Sequence, residues 1–230
     1  MAKPIPVKDS AELASLLKAL MEDIRTSHDY LRLYRKLHET LKEYETEFHQ
    51  SPTFWALTFG ALHDAVGLRL CRIYDQDDSA NHLHGLLLTI QKHSELFEEA
   101  QFRNRLKDNP SVDYLARHGT LPKSNDLDAD LKLTSLEDPQ VLLLYQWRNT
   151  IIAHSNAKVA KGSSNWTQAN PLPWKVIEDL ISRAFHIFNR YSSLFNAVSY
   201  STMLIGEDDY QGLLHLVRLG LKKSREDHGL

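Results

Sequence analysis

The sequence predicts an all-α protein, a helical bundle of about five long helices with apolar faces turned inward. Three observations predict it. Only 9 glycines occur in 230 residues, and no period-2 strand pattern of useful length is present. Apolar residues recur instead at spacings of three and four. Acidic or hydroxyl residues, twice followed directly by proline, punctuate the chain as helix starts.

Asp9 with Glu12 is a capping pair ahead of LASLLKALMEDI, the first helix. Tyr30, Tyr34, Leu37, Leu41, Tyr44 and Phe48 form the stripe of a second amphipathic helix. Thr26–Asp29 either separates the two or is continuous with both. Ser51–Pro52 starts a helix that runs to about Tyr74, apolar at Trp55, Phe59, Leu62, Val66 and Ile73, until the acidic DQDDS stops it. Leu83, Leu87, Ile90, Ser94 and Phe97 make the next stripe, which fades near KDNPS. Residues 108–137 are polar and broken by Pro110, Gly119 and Pro122, so at most short helical turns are expected there. Asp138–Pro139 launches the helix VLLLYQW, a loop follows His154, and Pro173 opens a long helix carrying Ile177, Leu180, Ala184, Phe188, Tyr191 and Phe195. A last amphipathic piece runs from Asp209 to about Leu221, before a polar tail.

With 42% hydrophobic and 25% charged residues the composition is that of an ordinary globular protein, and one domain over 1–230 is expected. The polar excursion at 108–137 and the terminal helix and tail at 207–230 belong to it. No apolar run of membrane-spanning length occurs, and MAKPIPVKDSAEL lacks the apolar core of a signal peptide, so a cytoplasmic setting with no membrane partner is expected. The lone Cys71 excludes an intrachain disulfide and a cysteine-based metal cluster. Net charge is −3, so any contact with nucleic acid must rest on a local basic patch rather than on a global field.

The chemistry-bearing stretch is WRNTIIAHSN, where Arg148 and Asn149 close an apolar helix and His154 follows. Spacing alone decides nothing. With 13 arginines and 12 histidines, chance supplies about two such pairs, and two occur, the other being Arg32–His38. Context is more informative, because a charge at the end of so apolar a helix needs a partner. One reading is structural: Arg148 pairs with an acid such as Asp75, and His154 caps the helix C-terminus, where a cation is favoured. The other is functional. A histidine near neutral pH gives or takes a proton, and a guanidinium presents a fork of donors to phosphate oxygens.

WRNTIIAHSN resembles the Arg-x4–6-His motif of the HEPN superfamily, helical-bundle proteins that include many endoribonucleases. Arg148–Asn149 matches that motif's commonest form, with Asn directly after Arg. The wider chain is similar to the AbiU2-like branch from about residue 10 to 200, through FWALTFGALHDAVGLRLCRIYD, an acidic loop, a Leu-rich helix, a polar excursion and the motif helix. RIYD and RNTIIAHSN are its specific pieces. The resemblance implies RNA cleavage without metal or cofactor, the ribose 2′-OH attacking and leaving a cyclic phosphate and a 5′-OH. His154 would handle the proton, Arg148 would hold the phosphate, and Asn149 would position or hydrogen-bond. A toxin or phage-defence role, a homodimer with motifs facing across a two-fold axis, and an antitoxin protein as partner are implied too. A non-catalytic module of the same fold, binding RNA, nucleotide or protein, is the alternative.

Geometry bears on the dimer. On a regular helix six steps set Arg148 and His154 roughly 120° apart and about 9 Å along the axis. Either the helix loosens near Ala153 or a second subunit completes the site. The apolar collar of Leu143, Leu144, Trp147 and Ile151 is expected to exceed what its own bundle buries. Arg72 and Asp75, at i and i+3, can pair on the helix surface or steady Arg148 or His154 from behind. The run Asp75, Asp77, Asp78 lacks the glycine and distal glutamate of a calcium loop and reads as a solvated helix end. His82 and His84 show no metal-ligand spacing and read as surface or helix-face residues. Trp166 and Trp174 could stack on a base, and Lys158 and Lys161 could draw phosphate, although loop packing and solvation are the plainer roles.

Overall fold

The computed structural model describes residues 3–149 and 172–228, all of whose regular structure is helical. His154, Ile151, Lys158, Lys161, Trp166 and the loop expected after the motif lie outside the described residues. The first helix, α1 (Ser10–Thr40), starts where the capping pair predicts. Asp9 Oδ1 accepts from the backbone N–H of Ala11 and Glu12, both at 2.9 Å, and Glu12 Oε2 accepts from Lys8 N at 2.8 Å. Thr26–Asp29 does not interrupt it. The second expected helix is therefore the later part of α1, and it stops at Thr40, with Glu45–Phe48 a separate single turn, α2.

Helix α3 (Pro52–Ile73) has proline in its first turn, as expected. The stripe from Leu83 to Phe97 is not one helix. Helix α4 (Leu83–Lys92) breaks at His93, a 3-10 turn spans Ser94–Phe97, and α5 (Glu99–Arg105) follows. The polar excursion holds more than short turns: α6 (Val112–Ala116) is brief, but α7 (Ser124–Thr134) runs for 11 residues. Its buried positions are Leu127, Asp130 and Thr134, two of them polar, so hydropathy gives no apolar stripe to find. Helix α8 (Pro139–Trp147) is capped by Asp138, whose Oδ1 accepts from Gln140 N at 2.9 Å and Val141 N at 3.1 Å. Helices α9 (Trp174–Asn196) and α10 (Asp209–His228) complete the described chain, and α10 takes in most of the polar tail expected after Leu221.

The chain divides into two compact units, Met1–Arg25 with Leu68–Ser201, and Thr26–Gly67 with Thr202–Leu230. In the first, Leu20, Ile24, Leu70, Ile73, Leu83, Phe97, Phe102, Phe188 and Phe195 are buried, each worth about 1.5–3 kcal/mol against exposure. Polar joints fix the packing. Tyr74 Oη donates to Leu180 O at 2.7 Å, and the buried Asp130 accepts from Arg190 at 2.6 Å and Tyr191 Oη at 2.8 Å, tying α7 to α9. Arg105 has carbonyls for partners: it donates to Leu96 O at 2.7 Å and twice to Phe195 O, at 2.7 and 3.0 Å.

The second unit packs Leu37, Tyr44, Phe48, Leu62 and Leu214 together, with Tyr30, Tyr34, Trp55, Phe59 and Tyr210 around them. The aromatic stripe read from the sequence is this cluster. Arg218 of α10 lies over the Tyr44 ring and donates to the buried Glu47 at 2.5 Å. Arg32 pairs with Glu207 here, which gives that residue of the chance-level Arg32–His38 pair a structural role.

Candidate functional site

Helix α8 is placed from behind. Asp138 caps its start and is itself gripped by Arg183 Nη1 at 3.0 Å, while Val141, Leu144 and Trp147 are buried. This anchors the end of the helix, where Arg148 and Asn149 emerge half-buried in a turn that widens to π type. The roughly 120° offset from Arg148 to His154 runs into residues outside those described. Of the apolar collar, Leu144 and Trp147 are buried within this one chain, at 2% and 7% exposed, Leu143 is half-buried, and Ile151 lies outside the described residues.

Arg148 does have an acid. Its Nη1 donates to Asp75 Oδ1 at 2.6 Å, and the two side chains keep 25% and 20% of their surfaces exposed. Asp75 sits just past the end of α3, and the same Oδ1 accepts from Gln76 N at 2.8 Å, so the carboxylate is fixed before it meets the arginine. A charged hydrogen bond of this kind contributes on the order of 1.5–3 kcal/mol. Burial acts to lower the arginine's pKa, but the bond and charge of Asp75 more than offset it and raise the guanidinium above its ordinary value. Tyr145 stands one turn back, its ring centre 5.6 Å from the guanidinium carbon. Burial pushes the neighbouring Cys71 thiol up to about 12 despite Arg148, so it stays a thiol at neutral pH.

Arg72 faces another way. Its Nη2 lies 3.2 Å from Asp23 Oδ2, beside the Arg69–Asp23 pair, so Asp75 reaches Arg148 and Arg72 does not join them. The acidic run separates likewise: Asp77 bonds Ser79, and Asp78 accepts from Lys3. No group of three or more potential metal ligands is found among the described residues. Nor is any described helix long and apolar enough to cross a membrane.

Of the two histidines read as surface or helix-face residues, His84 lies on a face of α4, but His82 does not. His82 is fully buried at the start of α4, its Nδ1 accepting from Gly85 N at 3.2 Å, and burial lowers its pKa to about 4. A Cβ on Gly85 would lie 2.9 Å from its ring, so the glycine makes room for this cap. His84 is half-buried with Nδ1 3.0 Å from Thr134 Oγ1, and burial lowers its pKa too.

His84 opens onto a feature the sequence hid, a groove of about 960 Å³ lined by Gln76, His84, Leu88, Asp128, Leu131, Lys132, Ser135, Leu136, Glu137 and Tyr145. Helix α7 builds one wall. Gln76, next to Asp75, and Tyr145, beside Arg148, set the groove against the arginine–aspartate pair. A volume of this size is that of a ligand cleft. Trp174 lies half-buried at the start of α9.

The helical bundle, with its Arg–Asn pair at the end of α8, is a domain of the HEPN type. The chain belongs to the AbiU2 family of that type, HEPN AbiU2, over residues 10–214, a family of ribonuclease and abortive-infection defence character. Neither the curated proteins nor the solved structures contain a match to it.

Proposed function

We propose that the protein is a metal-independent endoribonuclease of the HEPN type, acting as a toxin or phage-defence effector. Arg148 binds the scissile phosphate, Asn149 positions it, and His154 moves the proton as the 2′-OH attacks. The observation that supports this best is the state of Arg148. It is held at 2.6 Å by an already fixed Asp75, yet a quarter of its side chain stays open to solvent beside a large groove. Of the five N–H donors on a guanidinium, Asp75 engages one of the two on Nη1, an arrangement suited to a fixed phosphate ligand. The same ion pair supports a second reading, a non-catalytic module of this family in which Arg148 is a structural cation.

The active form in this reading is a homodimer, with an antitoxin protein as a candidate regulator. Support comes from α3, where Phe54 and Leu57 are 58% and 70% exposed and Ala56, Gly60 and Ala61 share the open surface. Exposed apolar stripes of this kind mark interaction faces. The test is incubation of the purified protein with total RNA and mapping of the ends produced. Cyclic-phosphate and 5′-hydroxyl ends that vanish with His154→Ala support the enzyme; intact RNA supports the non-catalytic module.

A further inference from the structure

The groove beside Arg148 has a chemical bias. Gln76 donates its amide hydrogens to Tyr74 O at 3.1 Å and Thr134 O at 3.2 Å, which leaves Oε1 as its acceptor. With the Thr134 Oγ1 proton on Asp130 O at 2.9 Å, the His84 tautomer that donates from Nδ1 to Oγ1 at 3.0 Å has Nε2 as its acceptor. Asp128 and Glu137 add carboxylates, and Lys132 is the one cationic side chain in the lining. Leucines and the Tyr145 ring supply flat apolar contact. The lining is therefore rich in acceptors and carries a net negative charge. It repels a phosphate but suits a planar ring that offers adjacent donors, while the phosphate ligand, Arg148, stands next to Tyr145.

We propose that this groove is a nucleobase site selective for guanine, next to the phosphate held by Arg148. Guanine alone among the RNA bases presents two neighbouring donors, N1–H and the 2-amino group, to a carboxylate, and its O6 accepts from an ammonium such as that of Lys132. The proposal rests on the reading of Arg148 as a phosphate ligand of RNA. It goes beyond that reading in naming the base that sets where cleavage falls.

Calorimetric titration of the full chain with 3′-GMP, 3′-IMP and 3′-AMP tests it. Inosine lacks only the 2-amino group, so 3′-IMP should bind about tenfold more weakly than 3′-GMP, and 3′-AMP more weakly still. Equal affinities, or no binding of 3′-GMP, overturn the proposal. The double variant Asp128→Asn, Glu137→Gln changes two exposed side chains and should keep the circular dichroism spectrum while bringing 3′-GMP and 3′-IMP level; an unchanged ratio overturns it. RNA end mapping separates this from the nuclease reading. Selective 3′-GMP binding with no cleavage keeps the groove and sinks the nuclease, whereas cleavage without 3′-GMP binding or guanine preference does the reverse.

Discussion

Arg148 and Asp75, far apart in sequence, meet through one hydrogen bond of 2.6 Å between Nη1 and Oδ1. The bond turns a flexible cation at a helix end into one aimed from a fixed base, because Asp75 is itself locked by the backbone N–H of Gln76. Fixed charge is what stabilises a developing oxyanion without reorganisation at the moment of reaction. Asp75→Ala should therefore slow RNA cleavage about tenfold or more, with Asp75→Asn intermediate. Initial rates on a defined RNA decide this; a rate unchanged in Asp75→Ala means that the pair only stabilises the fold.

Removing the proposed proton carrier should be harsher. His154→Ala is expected to lower cleavage by about 10²–10⁴, the usual share of general acid–base catalysis. Arg148→Ala should do comparable damage, with melting temperature and helical dichroism near those of the parent. Full activity in either variant removes that residue from the mechanism, and global unfolding of Arg148→Ala would assign the arginine to structure.

Cleavage that runs on a 2′-OH nucleophile, a histidine and an arginine draws its charge stabilisation from side chains. Activity should survive EDTA and leave cyclic-phosphate ends. Loss in chelator with recovery on adding Mg²⁺ would point to metal-assisted displacement.

Light scattering at micromolar concentration should show a homodimer. Its interface should include Phe54 and Leu57, which α3 leaves exposed. Leu57→Asp should give a monomer without lowering stability, since that side chain is largely exposed already. A mixed dimer of Arg148→Ala and His154→Ala chains adds a functional readout. Partial activity would mean that the two residues work across subunits; a dead mixed dimer, that each chain needs its own pair.

His82 makes stability depend on pH. Its folded pKa of about 4 lies below the ordinary 6.5, so between these values the unfolded chain binds the proton and the folded chain does not. Stability is thus fully present above pH 6.5 and is lost as pH falls towards 4, by about 2 kcal/mol between pH 7 and pH 5 from this group alone. Urea unfolding at the two pH values measures the slope. His82→Asn keeps a capping side chain and should flatten it; an unchanged slope would assign the dependence to other groups.

Much of the fold was legible because its signals are local. Asp9–Glu12, Ser51–Pro52 and Asp138–Pro139 are helix starts readable within four residues, and each starts a helix. What stayed hidden depends on distant partners. Helix α7 turns Asp130 and Thr134 inward, and Asp130 is tolerable there because Arg190 and Tyr191 reach it from α9. His82 looks like a surface residue until Gly85 shows the space that admits its ring. At the site, Asp75 was named both as a partner for Arg148 and as a partner for Arg72, and only the three-dimensional arrangement separates these. Asp23, which takes Arg72, lies too far along the chain for any pattern to find. The groove was invisible for the same reason, being assembled from segments none of which carries a motif.

The aromatic cluster of the second unit has a history written into its chain order. Tyr30, Tyr34, Phe48, Trp55 and Phe59 are all made early, but Leu214 and Tyr210, which pack against them, come after the whole stretch from Leu68 to Ser201. At about 5–20 residues per second, a ribosome needs roughly 7–27 seconds to make that stretch. For that interval the aromatic cluster is without Tyr210 and Leu214, which pack against it in the finished unit. The polypeptide cannot shut this unit until its last helix has left the exit tunnel.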